Sequence, residues 1–219
     1  MARVKVIGFE EHYKLPAIEE ATKNHPIQKV YDDWKGLGRF TTTMPEDGIP
    51  SAIYDVGEKR IAAMDRAGID VQILSHTAPG PEELEPSIAV DLARKSNDHV
   101  HQATLRYPDR LKAFATLPML DPQAAADELE RCVTKLGFVG TLINGHVNGR
   151  YLDDKFFWPV FERAAKLNVP IFLHPNRSSE VVVDALYQGF APIVSGFLAQ
   201  AGVGWCISSE LIFSKWRRH

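Results

Sequence analysis

Three polar side chains at the ends of apolar runs carry the clearest chemical signal in the sequence. Glu10 and His12 close the first apolar run, residues 4–9, and His174 closes a later run, residues 169–173. Residues two apart in a strand project to the same side, so Glu10 and His12 should project together. Carboxylate and imidazole groups suit zinc or manganese. We therefore expect these three residues to form a divalent-metal site.

Other polar residues follow the predicted strands and are weaker candidates. Asn144 and His146 come directly after residues 138–143 and could contact a substrate, although Asn144 could equally cap a turn. His76 ends another apolar run and is expected to be an ordinary loop histidine. Cys206 could be a soft metal ligand, but a cysteine beside a tryptophan is more often part of a core.

The elements that must position these residues alternate between strands and helices. Hydrophobic patterning and Gly/Pro signals predict strands over residues 4–9, 71–75, 111–117, 138–143 and 169–173. They predict helices over residues 55–67, 86–107, 122–137 and 154–167. Asp121 is the expected cap of the third helix, and Gly137 is its stop signal. Residues 13–50 are expected to form a long irregular loop.

Alternation of helices with nearly all-apolar strands predicts a parallel sheet covered by helices. A doubly wound sheet and a TIM-type (β/α)8 barrel both satisfy this pattern, and polar residues at several strand ends favour the barrel. About five strands are recognisable in 219 residues, whereas a complete barrel usually needs roughly 250 residues. We therefore predict one α/β domain over residues 1–219, built as an incomplete barrel.

Composition excludes several classes of protein. The formal net charge is −3 and 45% of the residues are hydrophobic, with no basic clustering of the kind that binds nucleic acid. No apolar run is long enough to span a membrane, and the charged start, residues 1–5, is a poor signal peptide. Two cysteines do not make a disulfide framework. A cytoplasmic protein is the simplest expectation.

The motifs together resemble the decarboxylase branch of the amidohydrolase-related superfamily. The opening Glu-x-His at Glu10 and His12 is typical of that branch, and the similarity spans most of residues 4–205. Further matching segments are Arg66-Ala67-Gly68-Ile69-Asp70, Asn97-Asp98, Pro108-Asp109-Arg110-Leu111, Ala115-Thr116-Leu117-Pro118, Leu136-Gly137-Phe138-Val139-Gly140, Asn144-Gly145, Phe157-Trp158 and Leu173-His174-Pro175. The combination of these segments is specific, although no single segment is.

The resemblance implies a metal-dependent (β/α)8 barrel that decarboxylates aromatic carboxylates such as dihydroxybenzoates without oxidation. Glu10, His12 and His174 match metal ligands of the family, which holds zinc or manganese. The family also has a histidine in a Gly-His-x-Gly-Glu segment and a late aspartate, its expected proton donor, and this sequence contains neither motif. Where the family pattern continues with histidine, Cys206 stands here. The chain is therefore expected to lack the C-terminal third of the enzyme and to have little activity alone.

Two other functions are compatible with the same residues. The first is a metal-dependent hydrolase of lactonase type, since one barrel serves hydrolysis and decarboxylation and fold does not decide function. The second is a non-catalytic fragment that assembles with a copy of itself. The expected partners are a small aromatic carboxylate and, because an open barrel leaves an exposed strand edge, a second copy of the chain in a homo-oligomer.

Overall fold

The structure is a computed structural model, and it describes residues 4–25, 52–176 and 178–186. Most of the expected long loop and the whole end of the chain, including Cys206, lie outside the described residues. The sequence expectations for those segments therefore stay predictions.

Five parallel strands form one curved sheet in chain order, from β1 at one edge to β5 at the other. The strands are β1 (Ile7–Tyr13), β2 (Val71–His76), β3 (Leu111–Ala115), β4 (Gly140–Asn144) and β5 (Ile171–His174). Each strand pairs in parallel with the next one along the chain. The described part of the chain is thus a half-barrel, which confirms the prediction of an incomplete barrel.

At least one helix follows each strand along the chain. They are α1 (Pro16–Thr22), α2 (Glu58–Ala67), α3 (Pro86–Arg106), α4 (Pro122–Leu136), α5 (Trp158–Leu167) and α6 (Glu180–Leu186). The predicted boundaries of α4 are confirmed. Asp121 Oδ1 accepts a hydrogen bond from the Ala124 N–H at 3.0 Å, and Gly137 ends the helix at φ +71°.

The main core lies between the outer face of the sheet and α2 to α5. It contains Leu74, Leu111, Ala113 and Ile143 from the strands, packed against Met64, Val100, Leu129 and Val160 from the helices. Burial at roughly 25 cal/mol per Å² of apolar surface makes this layer the main stabilising contribution. The polar ends of the strands are therefore carried on a rigid, packed support.

Two sequence expectations differ from the structure near the start of the chain. A helix, α1, occupies residues that were expected to be irregular; Ile18 is buried there against Leu84 and Leu92. Strand β1 continues to Tyr13 instead of ending at residue 9. Backbone pairing with β2 continues through His12 and Tyr13, and the strand ladder does not depend on the polarity of the side chains.

Apolar side chains remain exposed on the first strand and just before it. Val6, Ile7 and Phe9 are 46%, 51% and 53% exposed, whereas all five residues of β4 are buried. Strand β1 is an edge of the sheet within the described residues, as β5 is on the other side. This observation supports the expected open edge. In the described ranges, no helix is long and apolar enough to cross a membrane.

Candidate metal centre

A bulge in β1 directs two consecutive side chains toward the opposite edge of the sheet. Gly8 pairs with Gln72 and Glu11 pairs with Leu74, so β1 has one residue more than β2 between these two pairs. Consecutive residues of a regular strand face opposite sides, but an inserted residue changes that direction locally. As a result, both Phe9 and Glu10 reach side chains of β5.

The contacts across the half-barrel join β1 to β5 without backbone pairing. The Phe9 and Phe172 rings meet edge to face with centroids 5.4 Å apart. Closer to the carboxyl ends of the two strands, Glu10 Oε1 lies 3.2 Å from His174 Nε2. The curvature of the five-stranded sheet thus brings the carboxyl ends of its two edge strands together.

Glu10, His12 and His174 converge at this place. His12 Nε2 lies 3.2 Å from His174 Nε2, and one possible ligand atom from each of the three residues lies within 4.8 Å of the others. Bonds of about 2.2 Å to one ion would hold two ligand atoms at most about 4.4 Å apart. Shifts of a few tenths of an ångström would therefore let all three atoms bind a single ion.

Ser75 on β2 orients the ring of His12. Ser75 Oγ and His12 Nδ1 share a hydrogen bond of 3.1 Å. A neutral imidazole that donates from Nδ1 keeps its lone pair on Nε2, the atom that faces His174. A hydrogen bond from the outer nitrogen is the usual support of a histidine metal ligand.

Both imidazoles are held in the neutral form that binds metal ions. Burial and, second, the nearby His174 together lower the pKa of His12 to about 4. Burial also lowers the pKa of His174, and the Glu10 carboxylate opposes this effect only in part. Neutral nitrogen donors and one carboxylate fit a divalent cation such as manganese or zinc.

Asn144 lies beside this cluster, at the end of β4. It pairs with His174 in the strand register and is 5% exposed. Gly140 permits this pairing, because a Cβ there would lie 2.4 Å from the Pro170 carbonyl oxygen. Together with Ser75 and His76, Asn144 lines a small cavity with room for about one water molecule.

His146 has a different position from Asn144. It lies in the turn after β4, its Nδ1 accepts a hydrogen bond from the Gly149 N–H at 3.0 Å, and its ring packs edge-on against Tyr151. It does not line the small cavity. A substrate contact by His146 therefore stays a prediction that these contacts do not favour.

His76 is buried, in contrast to the loop histidine that was expected. Its Nε2 accepts a hydrogen bond from the Leu15 N–H at 3.2 Å, and its ring meets the Tyr13 ring edge to face. Burial lowers its pKa to about 3, so the ring is neutral. The contact with Leu15 makes His76 a support for the chain that leaves β1.

Two buried carboxyl groups beside the cavity were missed by sequence reasoning. Glu82 and Glu83 follow β2 in a single helical turn, Pro81–Glu83, and are 6% and 8% exposed. Glu82 Oε1 accepts a hydrogen bond from Asn144 Nδ2 at 2.9 Å. The sequence does show that both glutamates follow a strand end, where the other candidate residues also lie. It does not show the contact of Glu82 with Asn144, which is 62 positions away.

Comparison with known proteins identifies relatives with the same fold. Gamma-resorcylate decarboxylase of Polaromonas sp. is 37% identical over 178 residues, which are 78% of this chain and 50% of that protein. The 5-carboxyvanillate decarboxylase of Novosphingobium aromaticivorans, solved with manganese and 3-methoxy-4-hydroxy-5-nitrobenzoic acid, superposes with a TM-score of 0.73 at 33% identity, over 83% of this chain and 54% of that one.

A third relative is the 2,6-dihydroxybenzoate decarboxylase from Rhizobium. It superposes with a TM-score of 0.74 at 29% identity, over 97% of this chain and 64% of that one. This chain spans about half the length of the decarboxylases that it matches by sequence. Its residues 52–197, about two thirds of the chain, match the sequence profile of the amidohydrolase family. The chain belongs to the amidohydrolase family.

Proposed function

We propose that this chain carries the metal-binding half of a nonoxidative decarboxylase of aromatic carboxylates such as dihydroxybenzoates. The convergence of Glu10, His12 and His174 at the carboxyl ends of β1 and β5 carries the proposal. Decarboxylases with the same fold support it, since one is solved with manganese and a substituted benzoic acid and another with 2,6-dihydroxybenzoate.

Each residue of the cluster has a distinct part in this proposal. Glu10, His12 and His174 hold a manganese or zinc ion, and Ser75 fixes the ring of His12. When bound, the ion would supply a positive charge that attracts the substrate carboxylate and a neighbouring hydroxyl oxygen and so orients the carboxyl group. In this proposal Asn144, which is buried and is the strand partner of His174, contacts the aromatic acid.

The reaction itself is a proton transfer followed by cleavage of one bond. A proton is added to the ring carbon that carries the carboxylate, the bond to the carboxyl carbon breaks, and carbon dioxide leaves while the electron pair of that bond restores the aromatic ring. In the family that the sequence resembles, a late aspartate is the expected donor, and no segment of these 219 residues matches it. We therefore expect metal binding by this chain with little turnover.

Titration with manganese tests the proposed ligands. We expect one ion per wild-type chain and a much weaker site in His174→Ala, because a nitrogen donor is removed. The loss should exceed the roughly 10–100-fold that removal of an outer partner costs. Ser75→Ala should fall within that smaller range, because it removes only the support of His12.

His99→Ala is the matched control, since His99 is an exposed histidine on α3. Its manganese affinity should equal that of the wild type, measured by calorimetry or by the paramagnetic resonance signal of free manganese. Equal affinities of His174→Ala and His99→Ala would show that the cluster is not the metal site.

An assay of carbon dioxide release separates decarboxylation from hydrolysis. The manganese-loaded chain is incubated with 2,6-dihydroxybenzoate and, separately, with an aromatic lactone. Slow carbon dioxide release without lactone opening is the expected result. Lactone opening without carbon dioxide release would favour the hydrolase, and decarboxylation near about 1 per second would show that the chain has a complete site.

The exposed first strand supports a further part of the proposal, a homo-oligomer. Ile7 and Phe9 lie exposed on an edge strand, with the exposed Val6 just before it, and exposed apolar edges favour association. Light scattering on the purified chain should give a mass above that of the monomer, and Ile7→Lys should lower it. A monodisperse monomer of the wild type would rule out this association.

A further inference from the structure

The carboxyl group of Glu82 lies in a tightly enclosed place beside the cavity. Glu82 Oε1 accepts from Asn144 Nδ2, and the same carboxyl group packs over the backbone of Gly80. A Cβ on Gly80 would lie 2.0 Å from Glu82 Oε2, so only glycine leaves room for the carboxyl group in this position. The lack of a side chain on Gly80 thus leaves space for the Glu82 carboxyl group beside the Asn144 amide.

The other end of the Asn144 amide has no partner among the described residues. Its Oδ1 is buried and accepts no hydrogen bond there, while the residue lines the small cavity with Ser75 and His76. An unsatisfied buried carbonyl costs about 1–3 kcal/mol, so such a group in a native protein calls for an explanation. A hydroxyl group of a bound ligand would satisfy it.

The direction of the Asn144 amide follows from the chemistry of its partner. In the structure Asn144 Nδ2 donates to Glu82 Oε1 at 2.9 Å. When Glu82 is ionised, its carboxyl group only accepts hydrogen bonds, so the Nδ2 end of the amide faces Glu82 and the Oδ1 end faces away. A neutral amide in place of Glu82 could either accept or donate, and the Asn144 amide could then turn over. Glu82 thus decides which end of Asn144 a ligand meets.

We propose that Glu82 is a positioning residue that fixes the Asn144 amide with its carbonyl oxygen toward the ligand, so that the site selects aromatic acids with a phenolic hydroxyl at that position. The selectivity rests on the proposed function, because it requires an aromatic acid at the Glu10, His12 and His174 cluster. The orientation of the amide does not, because it depends only on Glu82 and Asn144.

The cavity and the metal cluster are close enough for one ligand to meet both. Ser75 lines the cavity and also bonds to His12, while Asn144 is the strand partner of His174. A benzoate bound through its carboxylate at the cluster could therefore extend an ortho hydroxyl toward Asn144 Oδ1. A methyl ether at the same position has no proton to donate and would leave Oδ1 unsatisfied.

Binding of two matched acids tests the selectivity. The manganese-loaded chain is titrated calorimetrically with 2,6-dihydroxybenzoate and with 2-hydroxy-6-methoxybenzoate. The wild type should prefer the dihydroxy acid by roughly two- to tenfold, the value of one hydrogen bond. In Glu82→Gln the preference should fall below about twofold with manganese affinity unchanged, and Glu82→Asp, which keeps an acceptor-only group, should restore part of it.

Glu83→Gln is the matched control. Glu83 is equally buried in the same turn, but its Oε2 accepts from the Asn148 N–H at 3.3 Å and not from Asn144. This variant should keep the wild-type preference. Equal loss of preference in both variants, or no loss in Glu82→Gln, would overturn the selectivity.

An NMR measurement without metal or aromatic acid tests the amide orientation separately. In protein labelled with ¹⁵N at asparagine, the Asn144 side-chain amide should exchange slowly with D₂O in the wild type, because Nδ2 is buried against Glu82. Its resonance should shift in Glu82→Gln and stay in place in Glu83→Gln. Fast exchange in the wild type would disprove the positioning, whereas failure of both acids to bind, with the NMR result as expected, would disprove the proposed substrate class alone.

Discussion

Two buried glutamates of this protein have nearly the same exposure and opposite electrostatics. Glu128 on α4 is 4% exposed and Glu82 after β2 is 6% exposed, and each accepts a hydrogen bond from a buried asparagine. Burial acts to raise the pKa of Glu128, but hydrogen bonds from Arg131 and Asn97 outweigh it and lower the pKa. Burial raises the pKa of Glu82, and the hydrogen bond from Asn144 offsets only part of the effect.

The difference lies in the cations and in the number of hydrogen bonds. Arg131 donates to both Glu128 oxygens at 2.8 and 2.7 Å, whereas within the described ranges no ion pair reaches Glu82. Asn97 makes three hydrogen bonds, two of them with the Thr116 backbone, and Asn144 makes one. The first network joins α3, α4 and the end of β3. The second leaves acceptors unsatisfied beside the candidate site, as expected where ligand binding matters more than stability.

The largest effect that this comparison predicts is a loss of stability in Glu128→Gln. Removing the charge leaves Arg131 without its main partner in a buried network, and breaking such a pair costs about 3 kcal/mol. Urea unfolding should show the loss as a lower midpoint. Glu162→Gln, at an exposed position of α5, is the control and should change the free energy of unfolding by less than about 0.5 kcal/mol. Equal urea midpoints of Glu128→Gln and Glu162→Gln would contradict this prediction.

The loss of stability should likewise be larger when Asn97, the partner of Glu128, is replaced than when Asn144, the partner of Glu82, is replaced. Asn97→Ala leaves the Thr116 backbone groups and the Glu128 carboxylate without their partner, which should cost about 2–3 kcal/mol. Asn144→Ala leaves the Glu82 carboxyl group without this hydrogen bond but also removes an unsatisfied carbonyl, so the two effects partly cancel and the loss should stay at about 1 kcal/mol. Thermal unfolding of both variants measures the difference, and a larger loss in Asn144→Ala would reverse the comparison.

The pH dependence of stability should have opposite signs in the two regions. Burial, followed by repulsion from Glu82, raises the pKa of Glu83 to about 7 from an ordinary value of 4.5. Between these values the folded state holds a proton that the unfolded state has released, so this group makes the protein more stable as the pH falls from about 7 to 4.5. Glu128, with its lowered pKa, makes the protein less stable as the pH falls below the ordinary value.

The difference in the free energy of unfolding between wild type and Glu83→Gln isolates the contribution of Glu83 to the pH dependence. The free energy of unfolding of wild type minus that of Glu83→Gln should rise by roughly 2 kcal/mol between pH 7.5 and pH 5, since one pKa unit corresponds to about 1.4 kcal/mol. Urea titrations at four pH values in this range are sufficient. A difference that does not change with pH would show that the pKa of Glu83 is not raised in the folded protein.

The smallest expected effect is that of Glu82→Gln on stability. Replacing a buried carboxyl group that lacks a cation with a neutral side chain of the same shape should leave the free energy of unfolding unchanged or raise it by up to about 1 kcal/mol. Thermal unfolding at pH 8, where a negative charge on the buried carboxyl group is most favoured by the solvent pH, measures this change in the free energy of unfolding. A loss comparable with that of Glu128→Gln would mean that Glu82 is structural.

Much of the fold was predictable because its signals are local. The helix start at Asp121, the stop at Gly137 and the apolar strands each depend on a few neighbouring residues, and the structure has them. The positions of Glu10, His12 and His174 also followed from strand ends. The helix α1 was hidden, because the many glycines and prolines of residues 36–50 made the whole segment from residue 13 look irregular.

Other parts depend on contacts between distant residues and could not be predicted locally. The contact of Glu82 with Asn144 joins two strand ends 62 residues apart. The bulge between Gly8 and Glu11 is a difference in length between β1 and β2, which neither strand shows by itself. Simple alternation placed Glu10 and His12 on one side, but it would have sent Phe9 to the other.

The extra residue in β1 also sets a limit on how this protein can change. Deleting one residue between Gly8 and Glu11 would restore an unbroken parallel ladder with β2 and should give a better strand. The same deletion would move either Phe9 or Glu10 away from β5. A search for more stable variants would therefore favour a shortened β1, while a search for metal binding would reject it.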